Sequence, residues 1–163
     1  MKRALAVALL CAVPFVSMAE DDEAMLVPLK RLTMDTAMTI AKGAVDACRK
    51  EGIQIAVTVV DRNGLVQAVL RDTIASPITL KISHQKAYTA ANFNAATSAM
   101  GDRANTPIGR VEGLVMSAGG LPIQAGGALL GAVGVSGAPS GVTDEACAQA
   151  GIDAVIDDLE MSM

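Results

Sequence analysis

The chain holds one histidine, His84, and one tyrosine, Tyr88, four positions apart. On a helix that spacing makes the two rings neighbours on one face. An imidazole beside a phenol offers two kinds of chemistry. It can bind a haem iron, with His84 as the metal ligand, or it can help to hold an acidic ligand. The competing reading is packing, with His84 half-buried and hydrogen-bonded at a helix–helix contact and Tyr88 an amphipathic packing residue. Phe93, the only phenylalanine beyond Phe15, falls within the same ten residues. Arg71, Arg103 and Arg110 flank apolar segments, where a guanidinium can pair with propionates or other carboxylates, or simply lie at the surface.

Other chemistries find less support. Ser117, Ser136 and Ser140 lack a GxSxG setting, and a single histidine leaves little choice of base. The carboxylate pairs Asp144–Glu145 and Asp157–Asp158 sit at expected helix ends, where they serve the helix dipole and solvent. Late glycines, from Gly119 to Gly141, form neither GxGxxG at a strand–helix junction nor GxxxxGK[ST], which excludes the nucleotide loops. Gly131 and Gly134 inside a strand point instead to close approach of a backbone or a ligand. Ser136–Gly141 leads into a capped helix whose N–H groups can receive a carboxylate, or it is an ordinary strand-to-helix turn.

These residues need elements to position them. Thr33 caps a first helix that stops near Gly52, with Ala37, Ile40, Ala41, Ala44, Val45 and Cys48 as its apolar stripe. Ile53–Val60 and Leu65–Leu70 read as strands paired through an Asp61-Arg62-Asn63-Gly64 hairpin turn, its Asn-Gly supplying positive φ. Ser76-Pro77 opens a second helix running to Phe93, with a short helix around Ala95–Met100. Within it Leu80, His84, Ala87, Tyr88 and Ala91 share one side, and Ile78, Ile82 and Phe93 lie roughly opposite. Such a helix is covered on two sides, by the sheet and by a partner subunit or a bound planar ligand. Residues 101–113 read as a loop. Leu114–Ser117, Leu121–Gln124 and Ala128–Ser136 form a second strand set, separated by Gly-Gly turns. Thr143 caps a last helix reaching Asp158. This order predicts an α/β (α+β) domain, an antiparallel β-sheet flanked by helices.

The 163 residues suit one domain. The start Met1-Lys2-Arg3, the apolar run Ala4–Val16 and the small residues Ser17 and Ala19 make a secretory signal over 1–19, too short to span a bilayer. We expect cleavage after Ala19, a flexible acidic lead-in over 20–32, a single domain over 33–163, and a periplasmic or secreted protein without membrane insertion. The net charge of −4 becomes −6 once Lys2 and Arg3 are removed, leaving 11 basic against 17 acidic residues. With no basic run, nucleic acid is excluded as a partner. Export permits a disulfide between Cys48 and Cys147. Their separation gives no sign of proximity, however, and buried free thiols are the expectation. No CxxC or His/Cys cluster points to zinc.

Several motifs together resemble the GlcG/HbpS-like haem-binding family. They are Val57-Thr58-Val59-Val60-Asp61-Arg62-Asn63-Gly64, Lys86-Ala87-Tyr88-Thr89-Ala90, Gly119-Gly120-Leu121-Pro122-Ile123, Gly131-Ala132-Val133-Gly134-Val135-Ser136-Gly137-Ala138 and Asp144-Glu145-Ala146-Cys147, in order and at family-like spacing. The resemblance implies a profilin-like fold, homo-oligomers up to octamers, and haem or its iron as ligand. Some exported relatives are accessory proteins to sensor kinases, and the family is sometimes labelled haem-degrading. The Asp-Glu-Ala-Cys motif also occurs in cytosolic relatives, which weighs further against a disulfide at Cys147. No family iron ligand maps onto His84. The leading expectation is therefore an exported, oligomeric haem-binding protein, with His84 or Tyr88 near the iron and Arg71, Arg103 and Arg110 near the propionates. The alternatives are a module for a small organic acid or an accessory partner of a sensor kinase and, least supported, an enzyme, for which no nucleophile–base pair exists.

Overall fold

The hairpin between the first two strands organises everything that follows. In the computed structural model, which describes residues 25–163, β1 (Ala56–Asp61) and β2 (Val66–Arg71) pair antiparallel. Asp61 closes the turn from within, its Oδ1 accepting the N–H groups of Asn63 and Leu65 at 2.8 and 3.0 Å. Only Gly64 takes a positive φ, +82°, where an Asn-Gly turn was expected to use two such residues. The register shift at Val59/Val60 absorbs the difference, a bulge that lengthens the loop and needs one left-handed residue.

β3 (Gly120–Ala125) and β4 (Ala128–Ser136) complete a four-stranded antiparallel sheet in the order β2-β1-β4-β3. Strand alternation then sorts the side chains by face. Val57, Val59, Val133 and Val135 join the main core with α1 (Met34–Lys50) and α3 (Gly141–Asp153). On the other face Val60 and Ala132 meet Ala87, Ala90 and Ala91 of α2 (Ile78–Phe93). The result is an antiparallel sheet between helices, as the sequence predicted, with α2 alone on one face and the other helices on the opposite one. α1 has the expected stripe and cap, Thr33 Oγ1 accepting the Thr36 N–H at 3.1 Å.

Several local expectations are corrected. Leu114–Ser117 is not a strand, because its main chain turns to α2: the Val115 N–H donates to Thr89 Oγ1 at 2.9 Å. The Ser76 side chain does not cap α2; its carbonyl accepts from both the N–H and hydroxyl of Thr79. The segment after α2 forms 3-10 turns at Thr97–Arg103 and Ile108–Arg110. The last helix begins earlier, capped by Ser140. It breaks at Ala154–Val155, where burial of Val155 redirects the chain into α4 (Ile156–Met161).

Cys48 and Cys147 form a disulfide between α1 and α3, their Cα atoms 5.6 Å apart, against the expectation of free thiols. Both cysteines sit on core-facing stripes of helices that pack directly together, a proximity invisible in their 99-residue separation. The signal segment 1–19 and residues 20–24 lie outside the described residues.

A second tie joins α1 to the end of β2. Arg49 donates from Nε and Nη2 to the two oxygens of Asp72 at 2.6 and 2.7 Å. The hydrogen bond from Arg49 lowers the Asp72 carboxyl from 3.8 to about 2, with burial opposing. A carboxyl lowered by folding adds stability above its unfolded value and loses it as pH falls through the folded one. The gap in thermal midpoint between wild type and Arg49→Met should therefore be widest above pH ~4 and close as pH approaches about 2. A gap independent of pH would show that charge contributes nothing.

Candidate functional site

α2 approaches the sheet closely because the β4 position beneath it is a glycine. A Cβ on Gly134 would stand 2.1 Å from the Ser83 carbonyl oxygen and 2.5 Å from the Ala87 nitrogen. The close approach expected at this glycine is thus made by a helix backbone. Beside it the Thr58 and Ser83 hydroxyls share a buried hydrogen bond of 2.9 Å.

The adjoining flank of α2 carries the rings. His84 is exposed and Tyr88 half-buried, with ring centroids 6.4 Å apart and planes tilted by 49°. No helix covers His84 among the described residues, so the helix–helix packing reading of this residue does not hold within the chain. Tyr88 is seated on the hairpin turn: a Cβ on Gly64 would come within 2.7 Å of its Cδ2. The Tyr88 side of α2 therefore faces β2.

Register shows what lies there. Val69 pairs with Thr58, Val66 with Val60 and Arg71 with Ala56, so all three take the sheet face on which α2 rests. α2 lies over β1, β4 and β3, leaving this edge strand uncovered, and Val66 and Val69 remain 51% and 43% exposed. This strip runs from Val66 beside the turn towards Arg71 at the end of β2. Arg71 closes that end, donating to the Ala75 carbonyl. An imidazole, a phenol, an apolar floor and one guanidinium thus share an open flank.

Arg103 and Arg110 do not join them. Both are exposed on the segment that follows α2 along its other side, where Thr97 bonds Gly120 of β3 and Val115 bonds Thr89. Sequence reasoning missed Val66 and Val69. Their exposure follows from strand order, and Val66 shares a face with Val69 only because the bulge breaks the alternation between Val66 and Ala68.

It also missed Lys86, two positions from each ring and buried beneath the helix. Its Nζ donates to Asp144 Oδ2 at 2.8 Å and to the Val135 carbonyl at 3.0 Å. Asp144 Oδ1 accepts the Ala138 N–H at 2.9 Å. Burial pushes the Asp144 carboxyl above its ordinary value, and hydrogen bonds from Lys86 and Ala138 pull it back only in part. Asp144 is thus a buried tie between α3 and α2, not the solvated helix-end carboxylate expected. Its neighbour Glu145 is likewise engaged, accepting from the Gly119 N–H and the Ser98 hydroxyl. A lysine inside an otherwise small and apolar helix face was the available signal.

The turn over Ser136–Gly141 is already occupied by the protein's own groups. Asp144 takes the Ala138 N–H, and Ser140 Oγ takes the Thr143 N–H at 3.1 Å. On the α2–β2 flank, by contrast, His84, Val66 and Val69 remain exposed.

Solved structures share this architecture. A crystal structure of HbpS matches with a TM-score of 0.76 at 38% identity, covering 80% of this chain and 94% of that one. A double mutant of Streptomyces reticuli HbpS matches with 0.76 at 35% identity, covering 93% and 99%. The PduOC–haem complex, 24% identical, shares the fold with a TM-score of 0.71 over 76% and 94%. No curated protein matches the sequence. Residues 32–153 match the family described as haem degrading protein HbpS-like, and the chain belongs to that HbpS-like family.

Proposed function

We propose that this protein is exported and binds haem on the open flank between α2 and β2. One observation carries the reading: the sole histidine and sole tyrosine share that flank with the exposed Val66 and Val69, and Arg71 stands at its end. The donor set fits haem. His84 or Tyr88 would hold the iron, Val66 and Val69 would take the macrocycle's apolar face, and Arg71 would meet a propionate. Arg103 and Arg110 have no part in this site. When bound, haem would supply its own redox chemistry; the chain's part is to hold and orient it. The family's description and the haem in the PduOC complex support the reading.

Self-association belongs to the proposal. β2 ends the sheet with an unpaired main-chain edge, whereas the edge strand β3 carries Pro122. Another copy of this chain is the partner we infer, and the solution mass of the purified protein checks it.

Titration with hemin tests the site. A shifted Soret band that saturates at one haem per chain is expected, and His84→Ala with Tyr88→Phe together should abolish the shift. An unshifted band at stoichiometric hemin would remove the proposal, and a spectrum indifferent to both substitutions would remove the assigned ligands.

A further inference from the structure

Two apolar surfaces near the β1–β2 turn lack a partner among the described residues. One is made by Leu65 of the turn with Val66 and Val69 of the flank just described. The other is the segment Met25–Leu29, in which Leu26 is 84% and Val27 78% exposed. Immediately after that segment the chain is pinned. Arg31 pairs with the buried Asp61 at 3.2 Å, the Leu32 side chain enters the core, and the Leu32 carbonyl accepts from Gln67 Nε2 at 2.9 Å.

The pin lies beside the site. Asp61 opens the turn whose fourth residue, Gly64, lies against the Tyr88 ring. The first and fourth Cα atoms of such a turn are less than about 7 Å apart. Lys30 is itself held, its Nζ donating to the Met163 carbonyl at 2.9 Å, so the free residues Met25–Leu29 extend to at most about 18 Å. That length suffices to bring the segment around the hairpin to Tyr88 and the turn end of the strip. Pro28 biases it to an extended form and removes one N–H that burial would leave unpaired.

We propose that Met25–Leu29 is the outer wall of the planar-ligand site, closing over a ligand held against α2 and β2. The inference rests on the haem reading above. A macrocycle lying on an open flank leaves its second apolar face in water. Leu26, Val27 and Leu29 are the nearest tethered side chains able to remove that face from solvent. Closure follows binding, because the ligand adds the apolar area that the segment covers.

The chain has no tryptophan, so Val27→Trp installs a single fluorescent reporter at an exposed position. The probes are hemin and iron-free protoporphyrin, the second of which needs no axial ligand. Binding of either should quench the introduced indole and shield it from acrylamide. Deletion of Met25–Leu29, which retains the Arg31–Asp61 pin, should weaken porphyrin binding by on the order of tenfold while leaving the thermal midpoint unchanged. Porphyrin binding with the indole still open to acrylamide, or with undiminished affinity after the deletion, overturns the wall and leaves the haem reading intact. A porphyrin shielded by a second copy, seen as a mass increase with the indole still accessible, overturns it as well. Failure of every form to bind either probe overturns both.

Discussion

Replacing Asp144 with alanine is expected to cost the fold about 3–5 kcal/mol, the usual penalty for stripping one partner from a buried ion pair. The Lys86 and Asp144 side chains are only 4% and 5% exposed. Without the carboxylate, the Lys86 ammonium keeps a single carbonyl, that of Val135, and the Ala138 N–H loses its acceptor. Against a typical total of about 5–15 kcal/mol, that loss brings the domain near its unfolding threshold. The intact pair is a different matter. The Asp144 carboxyl lies above its ordinary value because burial outweighs the help from Lys86. A carboxyl raised by folding contributes stability that is fully present below its unfolded value and lost as pH rises through the folded one. At neutral pH the charged pair therefore adds little net stability, although either half alone is costly. Lys86→Met combined with Asp144→Asn should accordingly recover most of what Asp144→Ala loses, since the amide oxygen can still accept from Ala138. Urea unfolding of the three proteins (wild type, Asp144→Ala and the double variant) checks this. A loss below about 1 kcal/mol for Asp144→Ala would show that water reaches the lysine.

The second large effect concerns the disulfide. Cys48→Ala with Cys147→Ala should destabilise the oxidised protein by about 2–5 kcal/mol. The bond closes a loop of 99 positions, and in the chain-entropy account a constraint that long removes much of the unfolded ensemble's freedom. It also staples α1 to α3 on the face opposite α2, so hemin binding should survive the substitution while the urea midpoint falls. Reductant should lower the wild-type midpoint towards that of the double variant and leave the variant's unchanged. Equal midpoints for oxidised wild type and variant would mean that the bond contributes nothing.

The sequence carried the local elements well, and each success has a local cause. The apolar stripe and Thr33 cap of α1 act within a few residues, as does the turn chemistry of Asp61 and Gly64. Where it failed, the deciding partner was distant. Leu114–Ser117 has the composition of a strand, yet its free N–H found Thr89, 26 positions earlier. Asp144 has the position of a dipole partner, yet it found Lys86, 58 positions away. Cys48 and Cys147 were read as separate thiols because nothing in either neighbourhood points to the other.

The candidate site divides in the same way. His84 and Tyr88 share a helix face by the geometry of the helix alone, and that much was determined by the sequence. So was the close approach at Gly134, because a strand interior without a Cβ makes room for a backbone. Whether the ring-bearing face would be buried or open was not. Tertiary structure decided it, by placing β2 at the edge of the sheet and α2 over the strands beyond it, so that Val66 and Val69 stay exposed beside the rings. The same placement gathered Arg71 to the site. Helical spacing follows from the local backbone, whereas strand order and edge exposure arise only when distant segments pair.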